Sequence, residues 1–339
     1  MPNPLLNIVE RIRPTQKARH VWAHLRQEVI GLARDYWKDG NWEKPPLTGE
    51  LDDLPVHAPV SRPASEAPSK VKSDTSASPF SVTRTAGGLW SAHPGEISER
   101  MWGHGYVSPG DEHITNLLIT PLGINKDMNI LDLSAGLGGR MRKMTEEYGV
   151  YINGLEPDAD IAARGMSISV AAGRSKQAAI EAYDPMNLTS THKYDCVIAR
   201  ETIYRVADKQ KFINSIVACC KPKAQISFTD YVVNPEVHDA PNIAAWRAFE
   251  KGADPVGLVE MAEMWAKAGI SIRVHDDQTD YYKKEVRRGL LVFAKFMAAD
   301  VKPDEPTRKA IERRVMIWAH RMAAIDAGMR FYRFYGMRA

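Results

Sequence analysis

The segment Ile130-Leu131-Asp132-Leu133-Ser134-Ala135-Gly136-Leu137-Gly138-Gly139 joins a short apolar run, a carboxylate and a glycine turn. Gly136 and Gly138 have no side chain to hold a ligand off the backbone, so a bulky group can approach closely there. The spacing is not the G-x-G-x-x-G of a dinucleotide site, which seats a pyrophosphate on a helix N-terminus, and Asp132 would repel a phosphate. Two more acids stand at comparable places. Glu156 ends the next apolar run, where a carboxylate can accept both hydroxyls of a ribose. Asp184 ends Ile180-Glu181-Ala182-Tyr183-Asp184, where it can accept from an adenine amino group. One such acid is often a helix cap, but three on successive strands facing one crevice exceed what caps require. A nucleoside whose tail carries a cation and no phosphate suits this set, which predicts S-adenosylmethionine over NAD. The plain alternative is a glycine turn that serves tight packing alone.

These residues need a scaffold that alternates strand and helix, and the sequence supplies one. Met128 to Ser134 reads as a strand, with a helix from the glycine turn through Tyr148. Strands follow at Val150 to Glu156, Ala178 to Asp184, Tyr194 to Arg200 and Gln225 to Tyr231, with helices around Ile161 to Ala172 and Lys209 to Cys220. Such regular succession predicts a parallel sheet covered on both faces, with the ligand off the carboxyl ends of the strands. Ile270 to Val274 and Phe331 to Met337 can add two strands. Between them Ile311, Val315, Trp318, Met322 and Ile325 mark a core-facing helix rather than a coiled-coil seam.

With those residues in place, the sequence resembles the class I S-adenosylmethionine-dependent methyltransferases, and more closely the phosphoethanolamine methyltransferase group. The closer resemblance lies in Met101-Trp102-Gly103-His104-Gly105-Tyr106-Val107-Ser108-Pro109-Gly110, in the glycine loop, in Tyr194-Asp195-Cys196-Val197-Ile198-Ala199-Arg200-Glu201-Thr202-Ile203 and in Ser227-Phe228-Thr229-Asp230-Tyr231. It runs from about Leu89 to the C-terminus. It implies an α/β fold, the Rossmann-like doubly wound sheet of class I, preceded here by an N-terminal helical extension. The cofactor residues it implies are Tyr106, Ser108, Asp132, Ser134, Gly136, Gly138, Glu156, Pro157, Asp184, Pro185 and Arg200. It places Glu201, Arg205 and Tyr231 in the catalytic set, and Lys251 and Arg321 against the acceptor.

The chain departs from the family where Arg205 stands in the position of a family histidine. Arginine stays protonated and cannot act as a general base, so a histidine mechanism does not carry over. Glu201 replaces a family aspartate and would hold an acceptor ammonium and take or relay its proton. Arg205, Arg321 and Lys251 would bind an anionic group at the acceptor's other end. The expected activity is methyl transfer to a small anionic acceptor, such as a phosphorylated amine or lipid headgroup. Two rivals stand beside it: C- or O-methylation of a lipid or hydrophobic metabolite, and a catalytically silent binding or assembly subunit.

The wider composition bounds these readings. Lys plus Arg at 45 against Asp plus Glu at 42 leaves +3, too little to imply a nucleic-acid partner. Residues 1–40 read as an amphipathic helical region with Val21, Leu25, Val29, Leu32 and Tyr36 on one face, and its basic bias suits a membrane surface or a protein partner. Residues 41–88 read as a Pro/Ser-rich linker, and 89–339 as the methyltransferase domain. No run of 18 apolar residues occurs, which predicts a cytoplasmic protein, with peripheral membrane docking as its variant. Cys196, Cys219 and Cys220 match no zinc or redox spacing and read as core thiols, and His104 and His113 form no metal site.

Overall fold

The computed structural model describes residues 91–298 and 303–338. The expectations for residues 1–40 and 41–88 lie outside the described residues.

Seven strands form one sheet: β1 (Asn129–Asp132), β2 (Tyr151–Glu156), β3 (Ala178–Ala182), β4 (Tyr194–Arg200), β5 (Cys220–Val232), β6 (Ile270–Asp277) and β7 (Arg330–Arg338). Their order is β3-β2-β1-β4-β5-β7-β6. The first five are parallel, as their alternation with helices predicts, and β7 runs antiparallel to both β5 and β6, making the sheet mixed at that edge. The wedge position of β7 is held by Phe331 and Phe334, both fully buried, and by Gly336, whose added Cβ would lie 2.9 Å from Ile270.

The helices are α1 (Pro94–Trp102), α2 (Asp111–Ile119), α3 (Gly139–Tyr148), α4 (Ala159–Ala171), α5 (Lys209–Ala218), α6 (Pro241–Phe249), α7 (Leu258–Lys267), α8 (Thr279–Ala298) and α9 (Glu305–Asp326). Alternation along the strands sorts the core into two layers. Ile130, Ile152 and Ile198 face α1 to α4, α8 and α9, while Leu131, Val197 and Phe228 face α5 and α7. On α9, Ile311, Val315, Trp318, Met322 and Ile325 are all buried, as their spacing predicts. The helix starts at Asp304, whose carboxylate accepts from the Thr307 N–H at 2.9 Å. Cys196, Cys219 and Cys220 are free and buried.

Strand order reverses between β1 and β4, so the connections leaving their carboxyl ends diverge and open a crevice. The Arg200 N–H donates to Ser134 Oγ at 2.7 Å and ties the two strand ends together below it. Above it lies α9, reached by a two-helix insertion, α8 and α9, between β6 and β7. This insertion forms the roof of the site.

Candidate active site

A cleft of about 460 Å³ lies between the strand ends and α9. Tyr106, Ser108, Ser134, Gly136, Glu156, Pro157, Asp184, Pro185, Arg200, Glu201, Arg205 and Arg321 all line it. Asp132, Gly138, Tyr231 and Lys251 do not.

The floor is the glycine loop. Gly136 has φ 54° and Gly138 φ 78°, left-handed values that glycine adopts without strain. The Gly136 N–H donates to Glu156 Oε2 at 2.9 Å, and the Asp158 N–H to Oε1 at 3.1 Å. Each carboxylate oxygen keeps a lone pair for a further donor. Burial pushes the Glu156 carboxyl upward, with those two N–H donors and Arg205 working against it. The segment before α2 is drawn onto the loop by backbone contact: the Gly139 N–H donates to Gly105 O at 3.0 Å, and a Cβ on Gly139 would meet that oxygen at 2.7 Å. That contact brings Tyr106 and Ser108 into the cleft.

Asp132 is placed differently from its predicted role. It is 1% exposed and takes a bidentate ion pair from Arg140, with Nη2 at 2.7 and 2.8 Å and Nε at 3.0 Å. The acid meant to greet a cationic ligand is thus already neutralised, and Arg140 lines the cleft in its stead. Gly138 turns toward Ile180 and Arg142, 2.6 and 2.7 Å from an added Cβ, and serves packing. Asp184 does line the cleft, but it also caps the short turn Pro185–Asn187, accepting from Met186 N–H and Asn187 Nδ2.

At the far end, Glu201 follows β4 with φ 51°, a left-handed conformation rare outside glycine. Its N–H donates to Thr229 O at 2.8 Å. Oε2 accepts from Arg321 Nη1 at 2.9 Å and from Tyr231 OH at 3.2 Å, whereas buried Oε1 has no hydrogen-bond partner among the described residues. Tyr231 is fully buried behind Glu201 and also meets Tyr282 OH at 2.6 Å, so it braces the carboxylate rather than facing the cleft. The turn after Glu201 is held by Asp230, which accepts from the Ile203 N–H at 2.7 Å and the Tyr231 N–H at 2.8 Å. Burial lifts the Asp230 carboxyl to about 7 in spite of these donors.

Arg321 is 3% exposed and clasped by two carboxylates. Beyond Glu201, it donates to Glu250 from Nη2 at 2.6 Å and from Nε at 3.0 Å. Burial opposes its charge, but Glu250 and the neighbouring tyrosines outweigh that and hold it well above the usual arginine value. Arg205, half exposed at the rim, reaches Glu250 at 2.6 Å. Burial would raise the Glu250 carboxyl; Arg321 and Arg205 instead hold it below the carboxylate range. The anion expected at Arg321 thus already has a counterpart within the protein, in Glu201 and Glu250, while Arg205 pairs with Glu250 from the rim. Lys251 is exposed and away from the cleft; its neighbour Glu250 is the residue that enters the network.

Sequence reasoning also missed Arg140, Arg314 and Tyr204. Arg314 lines the cleft on α9, one and two turns before Trp318 and Arg321, and donates to Pro94 O at 3.2 Å. Tyr204 OH bridges Glu250 at 2.6 Å and Arg321 Nη2 at 2.8 Å. Among the described residues no group of His, Cys, Asp and Glu could hold a metal ion, and no helix is long and apolar enough to cross a membrane.

Comparison with known proteins bears on the family and the fold. Residues 112–273 match the family described as "Methyltransferase domain". Phosphoethanolamine N-methyltransferase 1 of Zea mays is 26% identical over 198 residues, 58% of this chain and 39% of that protein. A Triticum aestivum phosphoethanolamine N-methyltransferase is 28% identical over 193 residues, 57% of this chain and 37% of its own length. The chain thus spans about two fifths of the length of these curated relatives. Among solved structures, Haemonchus contortus phosphoethanolamine N-methyltransferase 2, in complex with phosphomonomethylethanolamine and S-adenosylhomocysteine, superposes with a TM-score of 0.62 at 17% identity, covering 71% of this chain and 56% of that one.

Proposed function

Since this chain carries a class I S-adenosylmethionine-dependent methyltransferase domain, near the phosphoethanolamine N-methyltransferase group, we propose that it transfers the cofactor's methyl group to a small acceptor that meets Glu201. The observation that supports this most is Glu201 itself: a buried carboxylate in a left-handed backbone conformation, with one oxygen tied back by Arg321 and Tyr231 and the other, 3.7 Å from Arg200, without a hydrogen bond among the described residues. Strained, over-determined residues of this kind cluster at functional sites.

The cleft suits the cofactor by its donors and acceptors. Glu156 offers lone pairs for ribose hydroxyls, Asp184 for the adenine side, and the turn at Gly136 leaves the backbone open. Bound there, S-adenosylmethionine supplies a methyl group already activated by its sulfonium. The protein's share is alignment and exclusion of water. Glu201 Oε1 would hold an acceptor N–H or O–H and receive its proton, and Arg321 and Tyr231 keep that carboxylate in one orientation. Arg314 and Arg205, the latter paired with Glu250 but half exposed at the rim, would receive an anionic end of the acceptor, since buried Arg321 is spent within the protein. A phosphorylated amine is the acceptor this reading favours.

Calorimetry with S-adenosylhomocysteine and a methyl-acceptor screen that sets phosphoethanolamine beside neutral amines test the proposal. Glu201→Gln should lower kcat by about 100-fold or more, the scale of a positioned acid–base group, with cofactor affinity retained. Failure of the folded protein to bind S-adenosylhomocysteine, or an unchanged kcat in Glu201→Gln, would overturn it.

A further inference from the structure

Two arginines meet where β1 and β4 end. Arg140 and Arg200 are 5% and 6% exposed, both line the cleft, and each lies within electrostatic reach of the other. Arg140 spends Nε and Nη2 on Asp132 and Ser134, which leaves Nη1 to the cleft. Arg200 donates from Nη2 to Pro109 O at 2.6 Å and comes no nearer than 3.7 Å to Glu201; its Nε is buried without a partner among the described residues. Asp132 cancels one of the two charges, and the other is compensated only at a distance. Two nearly buried guanidiniums with unused donors on one corner of a cleft are costly unless an anion joins them.

We propose that the carboxylate of the cofactor's amino-acid tail is seated between Arg140 and Arg200, so that Arg140 is a cofactor-binding residue and Asp132 the group that positions it. This rests on the cofactor reading above and reverses the polarity expected of the first strand end: the acid there orients a guanidinium and leaves the cofactor's ammonium to other acceptors. A carboxylate has two oxygens, one for Arg140 Nη1 and one for an unused donor of Arg200, and so joins the two groups, while Asp132 takes the Nε and Nη2 side of Arg140.

Calorimetry on the full chain decides it with three ligands: S-adenosylhomocysteine, its decarboxylated analogue and its deaminated analogue. The wild-type protein should bind the decarboxylated analogue about 10- to 100-fold more weakly than S-adenosylhomocysteine, the loss expected for hydrogen bonds to a charged group. Arg140→Met should bring S-adenosylhomocysteine down to that level and leave the decarboxylated analogue unchanged. Because Arg140→Met strands Asp132 in the interior, the paired variant Asp132→Asn with Arg140→Met, checked by thermal melting, gives the same comparison without an unpaired charge. Equal wild-type affinity for the two ligands, or an equal loss for both in the variants, would overturn the proposal. So would an Asp132→Asn variant that loses affinity only for ligands with the amino group, since Asp132 would then be the ligand. If wild-type protein binds none of the three, the cofactor reading fails instead.

Discussion

Arg321 is the residue on which the far end of the cleft turns. It stands between Glu201 and Glu250, and Tyr204 and Tyr231 complete its contacts. Removing one member of a buried ion pair leaves the other uncompensated, at about 3–5 kcal/mol. Arg321→Ala should therefore act first on stability, lowering the urea midpoint by an amount equivalent to about 3 kcal/mol or more. Arg321→Met combined with Glu250→Gln should lose less than the sum of the two single changes, because the partners couple.

Asp230 gives the site a pH signature of definite sign. Its folded carboxyl lies at about 7 against an ordinary value of 3.8. In that window the native state holds the proton more tightly than the unfolded chain does, so this stabilisation is complete below the ordinary value and is lost as pH rises toward 7. Glu250 works in the opposite sense, since its lowered carboxyl contributes stability above the ordinary carboxylate range and loses it on acidification. Asp230→Asn should flatten the decline in urea midpoint between pH 5 and pH 7.5 that the wild-type protein shows; an unaltered decline would assign it to another group.

At the scale of elements, the roof depends on close approach between helices. Gly289 of α8 faces Trp102 of α1, and a Cβ there would fall 2.0 Å from the indole ring. Trp102 in turn packs edge-on against Trp318 of α9, with ring centroids 4.7 Å apart. Gly289→Ala should thus destabilise the fold by about 1–3 kcal/mol, the usual range for overpacking, although alanine is the better helix former. Thermal melting checks it, and a melting point at or above the wild-type value would show that the roof has room to shift.

The elements that announce themselves in the sequence are those whose order is local. The apolar strands Tyr151–Glu156 and Tyr194–Arg200 and the glycine turn between β1 and α3 are bounded by residues of distinctive chemistry, and they fall where expected. Helices α6, α7 and α8 have no counterpart in the sequence reading, because an amphipathic face does not say which surface it covers, and that is fixed only by tertiary contact. The same divide runs through the site. Cleft-lining acids at strand ends were legible because a strand end is a place in the sequence. Glu250 and Arg140 were not, because a lone charge beside a helix shows its worth only once its partner across the fold is known.

For the whole molecule, the described residues 97–334 supply two extensive core layers, one on either side of the sheet. A domain that owns its core folds alone. A chain beginning near Thr85 should accordingly stay soluble and bind S-adenosylhomocysteine with unchanged affinity. Insolubility or lost affinity would mean that the earlier segment packs on the domain.

The two helices between β6 and β7 bring a second passage of sequence to the cleft. Its floor, from Ser134 to Ala207, lies inside the stretch that matches the methyltransferase family, whereas Arg314, Trp318 and Arg321 lie beyond it. Under the proposed function, the acceptor is therefore met from two passages of sequence, by Glu201 and Arg205 from the floor and by Arg314 from the roof. Substitutions on the cleft-facing side of residues 305–326 can thus retune the clientele while the donor's seat stays as it was.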